Sequence, residues 1–273
     1  MSAGSGPAFA PRGAVTLLYH DVTAAGAFGT SGFTDPLADT YKLAAADFVA
    51  HLDAVAAVRR DAPALVGRGD VGAEQSPWLI TFDDGGASAL APTADLLEAR
   101  GWRGHFFIST RFTGARGFLT AAELRDLDAR GHVLGSHTVT HPPRMADLDE
   151  GALRREWRDS RRALEDVIGR PVTVASVPGG LYAPHVGRAA ASEGIRFLFN
   201  SEPTTRVREA DGCVLLGRFA FKSKSRAAEA ARLAAGDPLL RAAHWVAWNG
   251  KKAVKKASPR GFGAVRALLT GRR

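Results

Sequence analysis

The chain has 273 residues, 45% of them hydrophobic, enough to bury a sizeable core, and a single cysteine, Cys213, which rules out an internal disulfide framework. Lys and Arg number 36 against 28 Asp and Glu, a net charge of +8, yet residues 250–273 alone hold eight basic residues and no acid. The preceding body is neutral overall, which argues against a basic groove and against nucleic acid as a partner of the main fold.

Residues 1–13 (MSAGSGPAFAPRG) lack a basic start and an apolar run and are expected to form a flexible N-terminus. Val15–Tyr19 is the first of a series of short apolar runs, followed by Trp78–Phe82, His105–Ser109, His132–Gly135, Val172–Val177, Ile195–Asn200 and Val214–Phe221. Several show no alternation, which suits parallel strands buried on both faces. Helical spacing recurs between them over Ala44–Arg60, Ala87–Arg100, Thr120–Arg130, Leu148–Ile168 and Pro184–Glu193. Thr120 with Glu123 reads as a capping box, and Gly101, Gly131 and Gly169 read as helix stops. Residues 22–40 and 61–76 read as loops, the first long enough to wall a substrate. Strand and helix thus alternate, and the fold class is α/β, with parallel strands closing into a barrel or an open doubly wound sheet. Reactive residues then belong beyond the C-terminal ends of strands.

The body spans residues 14–240, and residues 241–273 form a basic tail in which Trp245, Trp248, Phe262, Val265, Leu268 and Leu269 stand among the cations. The plain reading of this tail is a solvated basic end. The sharper one is an amphipathic helix in peripheral contact with an anionic membrane surface. No run approaches the ~18–20 apolar residues of a spanning helix. The expected location is cytoplasmic, with any membrane contact at the inner face.

Thr81-Phe82-Asp83-Asp84-Gly85 ends the second predicted strand. Adjacent carboxylates repel and raise one another's pKa. An Asp-Gly turn with Asp84 as a helix cap explains them, and so does a site in which a cation neutralises one carboxylate and leaves the other as a base. His137-Thr138-Val139-Thr140-His141-Pro142 follows another strand. Its β-branched residues and Pro142 predict an irregular turn rather than a helix. Two histidines and a carboxylate leave coordination positions open for water or substrate.

Together these motifs resemble the NodB-type polysaccharide deacetylases, carbohydrate esterase family four, over roughly residues 14–220. Thr81–Gly85 is similar to the first motif of that family and His137–His141 to the second. The resemblance implies a distorted (β/α) barrel of about seven parallel strands. It also implies an enzyme that removes N-acetyl groups from a sugar, glycan or glycoconjugate, with Asp83 as general base and Asp84, His137 and His141 holding a divalent metal, usually Zn2+. Pro178-Gly179-Gly180 is similar to the turn whose backbone N–H lines the oxyanion site, with Tyr182 just beyond it. Three departures stand out. Ser176 occupies the position of an arginine that partners the base, and Arg218 is the candidate substitute. A late Asp-Trp motif and a late Leu-x-His motif, whose histidine protonates the leaving amine, are both absent. His20, at the end of the first strand in Leu18-Tyr19-His20-Asp21, is the best alternative acid or substrate ligand, ahead of His185 and Tyr182. His244, in an amphipathic segment, reads as a packing residue. The competing functional readings are an O-acetyl esterase and a metal-binding glycan-recognition relic with little turnover.

Overall fold

The computed structural model describes residues 13–68 and 76–257, with side chains described to residue 250. Residues 1–12 of the expected flexible start, 69–75 of the 61–76 loop and 258–273 of the basic tail lie outside the described residues.

Strands β1 (Val15–Tyr19), β4 (Trp78–Phe82), β5 (His105–Ile108), β6 (Val133–Ser136), β7 (Val174–Ser176), β8 (Phe197–Phe199) and β10 (Cys213–Leu216) run parallel in one sheet, with the short β11 (Phe219–Ala220) beside β1. Every residue of β1 and β4 is buried, as uninterrupted apolar runs require when both faces are covered. The antiparallel β9 (Arg208–Ala210) edges β10, and β2 (Val22–Thr23) pairs with β3 (Leu43–Ala44) in a separate ribbon.

The sheet order runs β11-β1-β4-β5-β6-β7-β8-β10-β9. β10 and β11 therefore sit near its opposite ends, although only Gly217 and Arg218 separate them in the chain. A sheet whose two ends are joined by a two-residue link must curl. The result is the distorted barrel expected from the sequence. The Val214–Phe221 run read as one strand is two, broken at Gly217-Arg218, and this break is the seam of the barrel.

Helices α1 (Ala45–Val58), α3 (Ala121–Ala129), α4 (Glu150–Ile168) and α5 (Pro184–Ser192) fall within the predicted segments. The capping box forms, with the Thr120 N–H donating to Glu123 Oε2 at 2.7 Å and the Glu123 N–H donating to Thr120 Oγ1 at 3.3 Å. Gly169 closes α4 in the left-handed conformation at φ 70°.

The Ala87–Arg100 segment is the exception. Pro92 forces Ala91 out of helical geometry (φ −130°, ψ 122°), so only Asp95–Glu98 remains regular, as α2. Two further helices, α6 (Ala227–Ala234) and α7 (Pro238–Ala257), follow the barrel. One apolar core joins β1, β4 and β5 to α1, α3 and α6 through Tyr19, Phe48, Phe82, Phe106 and Leu233. A second, around Trp157, Val186 and Leu198, seats α4 and α5 on β7 and β8.

Candidate active site and metal centre

The chemistry-bearing residues gather where the barrel rule places them, beyond the C-terminal ends of β4, β6, β7 and β10. Asp84, His137 and His141 offer one ligand atom each, and the three atoms lie within 4.8 Å of one another. His137 Nε2 is 3.5 Å and His141 Nε2 3.4 Å from Asp84 Oδ1. The Nδ1 of His137 lies 2.9 Å from the Ser176 carbonyl. A carbonyl only accepts, so Nδ1 carries the proton and the Nε2 lone pair faces Asp84. Burial lowers the His137 pKa to about 3 against the pull of Asp83, and burial lowers that of His141 as well. Both rings are neutral at physiological pH and hold free lone pairs.

Asp84 is pushed far the other way, first by burial and then by the charges of Asp83 and Asp21. A buried carboxylate that disfavours its own charge, facing two neutral imidazoles, is the donor set that a divalent cation satisfies. The residues present therefore fit such an ion.

Backbone geometry sets the candidate ligands at some cost. Asp84 (φ 81°), Thr138 (φ 67°) and His141 (φ 54°) all adopt left-handed conformations that residues with a Cβ avoid. The irregular turn expected after β6 is what forms. It is tied down by Glu156 of α4, whose Oε2 accepts the Val139 N–H at 2.8 Å and the Thr140 N–H at 2.9 Å, while Oε1 accepts the Thr140 hydroxyl at 2.6 Å. Ser136 Oγ accepts the Thr138 N–H, and Thr138 Oγ1 accepts the N–H of His141. No periodic signal marks Glu156, which sits among other charged residues on an amphipathic helix.

Asp83 faces Arg218 across the seam. Nη1 donates to Oδ1 at 2.7 Å and Nη2 to Oδ2 at 2.8 Å, a bidentate pair with both side chains buried. Ser176 Oγ accepts from Arg218 Nη2 at 2.7 Å and donates to Asp83 Oδ2 at 3.2 Å. Arg218 Nε donates to the Asn200 carbonyl at 2.9 Å, and the guanidinium lies over the Phe107 ring at 5.7 Å. Burial alone would raise the Asp83 pKa, but the Arg218 charge, with His137 and the Arg218 hydrogen bonds, holds it well below the carboxylate range. With a serine at 176, the space beside Asp83 is open to a guanidinium from the other side of the seam.

His20 stands at the same end, with a buried Nδ1 that has no protein partner among the described residues and a ring 4.8 Å from that of Tyr41. Burial lowers its pKa to about 4, opposed by Asp83 and reinforced by Arg218 and His141. His20 is therefore neutral at physiological pH, which suits a hydrogen-bond partner and not a resident proton donor. In the 178–180 turn, Gly179 takes φ 65° and Gly180 φ 70°. The Gly180 N–H is used by the Val177 carbonyl at 2.9 Å, whereas the Gly179 N–H has no acceptor among the described residues.

Tyr182 is not brought into the site. Its hydroxyl donates to Asp211, in the turn before β10, and its ring packs with the α5 core. His185 is spent on the Ala146 carbonyl at 3.1 Å. His244 faces Glu229 at 2.9 Å and rests edge-on to Phe219, a packing role.

The 22–40 loop is more structured than the sequence suggests, and it does reach the site. Phe33 meets the His141 ring at 5.0 Å and stands edge-on to Phe112 and Phe118. The fully buried Lys42 pins the loop by donating from Nζ to the Phe28 and Phe33 carbonyls, both at 2.6 Å. Asp21 holds its other side, accepting from Ser31 Oγ at 2.5 Å and Ser88 Oγ at 2.7 Å.

Residues 70–198 match a family model described as polysaccharide deacetylase. This match spans a little under half of the chain, and over it the sequence is similar to the polysaccharide deacetylases. A chitin deacetylase from Pestalotiopsis sp is 31% identical over 101 residues, covering 37% of this chain and 33% of that protein. The chain spans about half the length or less of the curated relatives it matches first. Among solved structures, the Streptococcus pyogenes deacetylase PplD, in complex with acetate, superposes with a TM-score of 0.65 at 17% identity, covering 80% of this chain and 96% of that one. A polysaccharide deacetylase from Bacillus cereus gives a TM-score of 0.66 at 18% identity, covering 81% and 69%. At these identities the structural matches establish the shared barrel fold alone, and they cover it beyond the 70–198 segment.

Proposed function

We propose that this chain is a member of the polysaccharide deacetylase family and a metal-dependent hydrolase that removes N-acetyl groups from a sugar, glycan or glycoconjugate. The observation that carries the reading is the convergence of Asp84, His137 and His141 beside the buried Asp83–Arg218 pair. One carboxylate and two neutral imidazoles suit Zn2+ or a similar divalent ion and leave positions open for water and substrate. Bound there, the ion would supply Lewis acidity toward the acetyl carbonyl and acidify the attacking water.

The side chains of the chain account for the rest. Asp83 is ionised and fixed in direction by two hydrogen bonds from Arg218, and Oδ1, which accepts only one of them, keeps a lone pair to take the proton of the attacking water. Once protonated, the same carboxyl returns the proton to the departing nitrogen, so no separate late histidine is required. The Gly179 N–H, aimed by a left-handed turn, is the candidate donor to the developing oxyanion. His20, neutral and with Nδ1 unused, orients substrate by hydrogen bonding. Phe33 and its neighbours form an apolar wall beside His141 that excludes water.

The test is acetate release from a panel of N-acetylhexosamine oligomers and their O-acetylated counterparts, with Zn2+ binding followed by calorimetry. Release from the N-acetyl substrates is expected, with chelation abolishing it and added Zn2+ restoring it. Asp83→Asn should lower the rate by about 10²–10⁴-fold while Zn2+ still binds. Release from the O-acetyl substrates alone would make the protein an esterase. Metal binding without release from any substrate would make it a binding relic, and either result ends the N-deacetylase reading.

A further inference from the structure

No helix among the described residues is long and apolar enough to cross a membrane. The surface of α7 nevertheless carries apolar side chains that the fold does not use. Of the five large hydrophobic residues exposed among the described residues, three lie on this one helix: Leu239 at 78%, Val246 at 63% and Trp245 at 48% exposed. Its inner face is accounted for. Leu240 packs against the core around β1 and α6, Arg241 donates to the Gly236 carbonyl, and His244 meets Glu229 and Phe219. At helical spacing Leu239, Ala242, Ala243 and Val246 align in one stripe on the opposite side, all four exposed, with Trp245 on its flank.

Charge identifies the occupant. The α7 backbone continues through Lys251, Lys252, Lys255 and Lys256 to Ala257. No acidic residue follows Asp237 anywhere in the chain, and the body before residue 250 is neutral overall. Of the eight cations behind the net charge of +8, four thus lie on the one helix that shows an unpartnered apolar stripe, and the other four follow it in the sequence. A narrow apolar stripe with a tryptophan at its edge and an uninterrupted run of cations is the composition that lies in the plane of an anionic lipid surface, apolar side down. We propose that α7 is a docking helix for such a surface, seated by Leu239, Trp245 and Val246 and drawn in by the lysines beyond Gly250.

The test uses the full chain with vesicles of phosphatidylcholine alone or mixed with phosphatidylglycerol, read by co-sedimentation and tryptophan fluorescence. Co-sedimentation with the mixed vesicles only is expected, with a blue shift that Trp245→Phe removes. The double variant Leu239→Ser/Val246→Ser keeps the charge and alters only exposed positions, so circular dichroism should be unchanged while partitioning falls about tenfold or more. Changing Lys251, Lys252, Lys255 and Lys256 to Gln should lower partitioning by about two orders of magnitude. Equal recovery on both vesicle types, or undiminished partitioning of the serine variant, overturns the proposal. So does a lipid-free dimer, measured by sedimentation velocity, that the serine variant abolishes, since the stripe would then belong to a second copy.

Discussion

Removing the Arg218 guanidinium tests whether the seam of the barrel and the Asp83 carboxylate form one unit. In Arg218→Ala, Asp83 keeps its buried position and loses both of its charge-assisted hydrogen bonds, at 2.7 and 2.8 Å, and Ser176 Oγ and the Asn200 carbonyl lose theirs. Breaking a buried ion pair from one side leaves an uncompensated charge, and such changes cost about 3–5 kcal/mol. For a domain of this size that corresponds to roughly 10 °C in Tm. The pH dependence has a definite sign. Arg218 holds the folded-state pKa of Asp83 below its unfolded value, so the stabilisation is fully present above about pH 4 and is lost as the pH falls. The stability gap between wild type and variant should therefore be widest at neutral pH and shrink in acid.

Activity separates this from a purely structural effect. Without the cation the Asp83 carboxyl becomes less acidic and is oriented by the Ser176 hydroxyl at 3.2 Å rather than by a bidentate pair, so acetate release should fall about 10²-fold or more even at temperatures where the variant is folded. Arg218→Lys should recover part of the stability but little of the rate, because an ammonium cannot span both carboxylate oxygens. The double variant Asp83→Asn/Arg218→Met, which removes both charges, should melt higher than Arg218→Ala alone. The assays are urea and thermal unfolding across pH, together with acetate release. Equal unfolding midpoints and rates for wild type and Arg218→Ala would refute the coupling.

Three further changes have worked-out directions. Gly217→Ala places a Cβ 2.3 Å from the Glu202 carbonyl oxygen and 2.8 Å from that of Thr204, so the link that aims Arg218 must shift; about 1–3 kcal/mol of stability should be lost in urea melts, with acetate release falling alongside. Burial pushes the Asp128 pKa up, but hydrogen bonds from Arg170 and Arg68 hold it lower still, so Asp128→Asn should cost about 1 kcal/mol at pH 7 and progressively less below about pH 4, where the native carboxylate protonates. Glu156→Gln replaces an acceptor-only carboxylate beneath the His137–His141 turn, and Zn2+ affinity measured by calorimetry should weaken about 10–100-fold with little change in Tm.

Much of the barrel was legible because its strands are buried on both faces. Val15–Tyr19 and Trp78–Phe82 read as strands to the residue, since continuous apolar runs bounded by turn residues have few other uses. Failures came where one residue overrode a pattern. Pro92 removed most of a helix that the apolar spacing of Ala87–Arg100 supported. Gly217 and Arg218 cut an apolar run in two because the sheet has to close there, and closure is a property of all its strands that no local window contains. Helix α6 went unread although its alanine-rich sequence is amphipathic and buries Ala230, Leu233 and Ala234 on one face.

The grouping of Asp84, His137 and His141 was readable because strand ends of a parallel barrel share one rim. The partner of Asp83 was only a candidate, since Arg218 lies 135 positions away and reaches it by way of the seam. Tyr182 misled because its place in the sequence, just past the glycine turn, does not fix the direction of its ring. The α5 core and Asp211 draw it outward. Phe33, which walls the site beside His141, carried no signal in a loop whose course depends on Lys42 and Asp21.

The strain in the molecule points to the same place as its chemistry. Among the described residues four non-glycine positions have positive φ, and three of them are Asp84, Thr138 and His141. Each such conformation costs on the order of 1–2 kcal/mol, and it persists only where the surroundings over-determine it. At Asp84 the backbone is fixed by the Ser109 N–H donating to its carbonyl at 3.2 Å, and at the histidine turn by Ser136, Thr138 and Glu156. A turn that only joined β6 to α4 could relax with Gly or Asn at these positions. Here the left-handed residues are two of the three candidate ligands and the threonine that stands between the two histidines. The strain holds one ligand atom from each of Asp84, His137 and His141 within 4.8 Å of one another, so a cation proposed for this site would need no reorganisation of the barrel. Stability is given up at this rim to hold that geometry, and the bidentate pair at the seam and the buried strands below it offset the loss.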